Sequence, residues 1–109
     1  MLFTYTVLGR FEDAAVAREW IEWLRDEHLA EVIDGGALDA EVVELDAPKS
    51  QPELAGKVFE VHYHFESRES FQEYERDFAS ELRAKGLERF PASRGVTLER
   101  RMGAVVVEM

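Results

Sequence analysis

Two periods alternate along this chain, and the alternation predicts its elements. Over residues 2–9, Phe3, Tyr5 and Val7 alternate with Thr4 and Thr6, the two-residue period of a strand rich in aromatic and β-branched side chains. From Ala14 to about Asp34 the period becomes helical, with Val16, Trp20, Trp23, Leu24 and Val32 spaced to line one face. Asp13 is placed to cap that helix, and Glu12 adds negative charge near its positive end. The polar run Asp26-Glu27-His28 divides it into a long part and a shorter one, and Gly35-Gly36 ends it. Residues 38–46 read as a second strand centred on Val42 and Val43, followed by a short loop, Ala47 to Pro52.

Val58 to Phe65 carries the clearest strand pattern. Phe59, Val61, Tyr63 and Phe65 face one way, and Val58, Glu60, His62 and His64 the other. Ser67 caps a second long helix striped by Phe71, Tyr74, Phe78 and Leu82, with Gly86 and Pro91 at its end. Val96–Met102 reads as a further strand, and Ala104–Glu108 as a short extra one beyond a break at Gly103. The order β-α-β-β-α-β predicts an α+β, ferredoxin-like domain spanning 1–109: an antiparallel sheet with both helices on one face. The other sheet face is left for water, a ligand or a second copy. The doubly apolar run Ala104 to Val107 predicts cover from a partner chain, since such a strand left bare is an aggregation hazard.

Composition narrows the function. The 109 residues are 46% hydrophobic, which excludes a disordered chain, and the net charge of −10 argues against nucleic acid and anionic membranes as partners. The charge is uneven. Residues 83–101 carry net +4, with Arg94, Arg100 and Arg101 as candidates for an anionic ligand or for acidic groups of a partner subunit, and the remainder carries −14. There is no cysteine, hence neither disulfide nor thiolate chemistry. The first ten residues lack the basic start and cleavage site of a secretory leader, and no apolar run is long enough to span a bilayer, so the expected location is cytoplasmic.

Among chemistry-bearing residues, His62 and His64 share one strand face with Glu60. That arrangement suits either a solvated surface or two ligands of a metal short of a third. His28 reads either as an imidazole at a helix C-terminus or as a general base at the mouth of a barrel. Trp20 and Trp23 lie three apart, so one is expected in the core and the other at its edge, Trp23 being a candidate for ligand stacking. Arg100 completes the set of ligand-binding candidates. Phosphate loops, nucleophile elbows and metalloprotease helices are absent, so phosphoryl transfer and hydrolase chemistry have no support; no cofactor is assigned.

Trp20-Ile21-Glu22-Trp23, then His28-Leu29-Ala30-Glu31-Val32, Gly35 and Leu38, and later Phe71, Tyr74, Phe78-Ala79, Leu82-Arg83 and Phe90 form a recognisable pattern. It resembles a family of small uncharacterised proteins, a domain of unknown function in the dimeric α/β-barrel superfamily, distantly similar to antibiotic-biosynthesis-type monooxygenases. The resemblance implies a homodimer whose two sheets face each other as a barrel. It implies a small-molecule-binding or assembly module, with a cofactor-independent monooxygenase or haem-type activity as the alternative and a histidine-based metal site as a third reading. It supplies no catalytic residue.

Overall fold

The computed structural model describes residues 1–109. Its strands are β1 (Phe3–Phe11), β2 (Asp39–Glu44), β3 (Val58–Phe65) and β4 (Val96–Ala104). They form one antiparallel sheet in the order β2-β3-β1-β4, open in the single chain. Two helical rods cross it. The first is α1 (Ala14–Trp23) and α2 (Leu29–Asp34), joined by a wide π-type turn at Leu24–His28. The second is α3 (Arg68–Tyr74) and α4 (Ser80–Arg89), joined by an equivalent turn at Glu75–Ala79. The ferredoxin-like α+β architecture expected from the sequence is the one observed.

The caps follow the chemistry of their residues. Asp13 accepts from the Ala15 N–H at 2.8 Å and Ser67 from the Ser70 N–H at 3.1 Å. Gly36, at φ 128°, supplies the left-handed stop after Asp34. Gly86 does not end the second helix: α4 runs through it to Arg89, and its missing Cβ leaves room for Trp23, whose ring lies 3.3 Å from where that carbon would be.

Strand register sorts the side chains onto two faces. Tyr5 lies opposite Tyr63, and Val7 opposite both Val61 and Arg100, so these residues share the face beneath the rods. On the open face three rows cross the sheet: Gly103, Thr4, His64, Asp39; Arg101, Thr6, His62, Glu41; and Glu99, Leu8, Glu60, Val43. The core is aromatic. Phe3, Tyr5, Phe65, Phe71 and Tyr74 meet at 5.0–6.3 Å between ring centroids, within the range of favourable ring pairs, and each adds about 0.5–1.5 kcal/mol beyond its burial. Leu8 is the one buried apolar side chain outside this core, 4% exposed on the opposite face.

Three further expectations are corrected. The π-type turns insert residues into the 3.6-residue stripe, so Phe78 is 44% exposed while Ala79 beside it is fully buried. Trp20 and Trp23 are both buried, since Trp20 packs on Phe11 and Phe59 while Trp23 packs on Phe90. No separate strand covers 104–108: β4 continues unbroken through Gly103 to Ala104. One further hydrogen bond follows, from the Val105 N–H to the Leu2 carbonyl at 2.8 Å, and regular structure then stops. Beyond that bond Val106 and Val107 stand 79% and 71% exposed.

Candidate functional site

A cavity of about 200 Å³ lies between the sheet and the two rods. Tyr5, Val61 and Tyr63 form its floor, Trp23 and His28 one wall, and Tyr74 and Arg83 the other. Leu87 and Leu98, exposed lining residues at 60% and 41%, mark its mouth. Its lining is mostly apolar and aromatic, as in small-molecule sites where a few polar groups set orientation.

Those polar groups are His28 from the first wide turn, Arg83 from α4 and Arg100 from β4. The first turn ends at His28 and brings its imidazole flat against the Trp23 indole, with centroids 4.4 Å apart and planes inclined by 19°. Its Nδ1 is buried without a hydrogen-bond partner. Burial holds His28 well below the ordinary histidine value, at about 4, so the ring is neutral near pH 7. His28 therefore lies within a rod and not at a helix C-terminus, which removes the dipole role as its explanation.

The second turn begins at Glu75, whose carboxylate joins two guanidinium groups. It accepts from Arg83 at 2.6 Å and from Arg100 at 2.5 Å, and Arg100 donates a further bond to the Tyr5 hydroxyl at 3.0 Å. The Nε–H of Arg83 is buried and has no acceptor. Burial pushes the Tyr63 and Tyr74 phenols up, so both remain protonated. Ion pairs between the rods close the outer side, Lys85 to Glu31 at 2.8 Å and Arg89 to Glu27 at 3.0 Å.

The sequence candidates thus divide between the two faces of the sheet. His28, Trp23 and Arg100 line the cavity; Glu60, His62 and His64 lie on the open face. There His62 is held by Glu41 at 2.8 Å and Glu60 at 2.9 Å, and His64 by Asp39 at 2.9 Å. Both ring nitrogens of His62 are engaged, and no cluster of three or more His, Asp or Glu side chains has a metal-binding arrangement. The hydrogen bond that the His62 ring donates to Glu60, with help from Glu41, raises the His62 pKa above the ordinary value.

The three arginines grouped by charge do not converge. Arg94 pairs with Glu19 at 2.7 Å, Arg101 lies in an open-face row, and only Arg100 reaches the cavity. Tyr5, Tyr74, Glu75 and Arg83 were not among the sequence candidates for a site. The available signal was Arg83 directly after Leu82 in an otherwise apolar stripe.

The chain belongs to the family described as "Domain of unknown function (DUF4286)", whose model matches residues 4–103. Among solved structures it is similar to a dimeric ferredoxin-like protein from an uncultured marine organism, at 18% identity and a TM-score of 0.72 over 99% of this chain and 98% of that one. It is similar to an ethyl tert-butyl ether D (EthD) family protein from Bacillus halodurans, at 18% identity and 0.66 over 97% and 100%. It is similar also to SnoaB, a cofactor-independent oxygenase from Streptomyces nogalater, at 8% identity and 0.64 over 99% and 96%. No curated protein matches the chain. At these identities the likeness establishes the fold. No helix is long and apolar enough to cross a membrane.

Proposed function

We propose that this protein is a homodimeric small-molecule-binding module whose ligand occupies the cavity between sheet and rods. One observation carries the binding part: the two buried side-chain polar atoms that lack a partner, His28 Nδ1 and Arg83 Nε, belong to residues lining the same apolar cavity. Leaving one such atom unpaired costs about 1–3 kcal/mol, and a bound molecule with matching groups relieves that cost. The volume lies below the roughly 300–1,000 Å³ of drug-sized sites, so the ligand is of one or two rings.

The dimer reading is supported by the open sheet face. Its Asp39 and Glu41 edge is acidic, Arg101 stands on the opposite strand, and the solved ferredoxin-like neighbours include dimers. The two sheets then face each other as a barrel. Calorimetric titration with 2-naphthamide, a planar neutral probe, tests the binding reading. One site per chain is expected, abolished by Gly86→Leu, whose side chain starts toward Trp23. Absence of binding to the wild type overturns it.

A second reading, catalysis without a cofactor, is supported by a neutral imidazole beside an apolar cavity and by the fold shared with SnoaB. Oxygen uptake with small phenols checks it; uptake unchanged in His28→Phe counts against it.

A further inference from the structure

The charged groups around the cavity do not balance. Arg83 and Arg100 share the single carboxylate of Glu75, and the buried His28, held at about 4, is uncharged near pH 7. One positive charge is left over at the edge of an apolar space, on side chains that remain 28–39% exposed, and an excess cation there favours an anion. The donors tell the same story. Arg83 spends one terminal nitrogen on Glu75, while its Nε–H is buried with nothing to bond. A guanidinium N–H in such a place is suited to an oxyanion, because charge-assisted bonds are roughly twice as strong as neutral ones.

The walls specify what the anion is attached to. Trp23 and Tyr63 are buried rings, and the His28 imidazole already stacks on Trp23. Flat faces of this kind favour a flat aromatic guest. Resting on the binding reading above, we propose that the cavity takes a planar aromatic molecule bearing a single negative charge on oxygen, the charge against Arg83 Nε and the ring beside Trp23. His28 Nδ1, on the opposite rod, then meets a second polar atom of the same guest. Glu75 sets the charge that the site accepts: with it ionised, the arginine pair balances one negative charge and not two.

Three probes of nearly one shape test this by calorimetry at pH 7.5: 2-naphthoate, the neutral 2-naphthamide, and naphthalene-2,6-dicarboxylate. In the wild type, 2-naphthoate should bind about tenfold more tightly than the amide, and the dianion no better than the mono-anion. Arg83→Met should weaken 2-naphthoate far more than the amide, bringing the ratio of the two affinities to about one, and an unchanged circular-dichroism spectrum and urea midpoint show that the variant is folded. Glu75→Gln should strengthen 2-naphthoate binding several-fold, whereas a purely structural Glu75 would weaken it. Amide binding equal to or tighter than naphthoate binding in the wild type overturns the charge assignment and leaves the binding reading standing. A preference that survives Arg83→Met also overturns it. Absence of binding by every probe removes both.

Discussion

The His28 imidazole lies on the Trp23 indole at 4.4 Å between ring centroids, nearly parallel to it. Burial there disfavours the imidazolium, and the consequence is a pH dependence with a definite sign. A histidine held at about 4 against an ordinary 6.5 contributes stability that is fully present above pH 6.5 and is lost as pH falls toward 4. The loss by pH 4 is about 3 kcal/mol. Urea unfolding of the wild type and His28→Phe at pH 7 and pH 4.5 measures it. The wild type should lose more stability between the two values than the variant, which keeps the stacking and cannot titrate.

His62 has the opposite sign. Its hydrogen bonds to Glu60 and Glu41 raise its pKa, so its contribution is present below pH 6.5 and fades as pH rises through the raised value. In an NMR titration of the histidine rings, His62 should titrate above 6.5 and His28 far below it. Glu60→Gln should move His62 downward and leave His28 unchanged.

The proposed dimer uses the open face and the tail. Removing residues 106–109 deletes Val106 and Val107, which stand exposed beyond the last strand bond. Thr6→Arg places a long cation in the middle of an open-face row, between His62 and Arg101. Each change should raise the dimer dissociation constant at least about tenfold in sedimentation equilibrium. An unchanged mass for both variants contradicts the proposed interface.

Gly9 sits where the first strand passes beneath Trp20. A Cβ there would meet the indole at 3.0 Å and the Phe11 ring at 3.1 Å, in the packed core. Gly9→Ala should therefore destabilise the protein by about 1–3 kcal/mol, read as a lowered urea midpoint with an unchanged slope.

Much of this architecture was legible in the residue pattern. The alternation in Val58–Phe65, the caps at Asp13 and Ser67, and the stop at Gly35-Gly36 are short-range signals, and each has its expected consequence in the fold. The site was only half legible, because its geometry depends on the two wide turns. Those turns break helical periodicity, so a stripe read at 3.6 residues per turn puts Phe78 inside and gives no reason to select Glu75 or Arg83. His62 and His64 drew attention because both lie on one strand face; the acids that hold them, Glu41 and Asp39, come from the neighbouring strand. Trp23, His28 and Arg100 were candidates from the start. What joins them is the packing of both rods on the sheet, which local pattern does not encode.

The two faces of the sheet can be distinguished in one experiment. The imidazole and indole resonances of the protein are followed while 2-naphthoate is added. Saturable shifts of His28 and Trp23, with His62 and His64 unmoved, are the predicted result. Shifts confined to His62 and His64 would place the ligand on the open face and contradict the assignment of the cavity as the binding site.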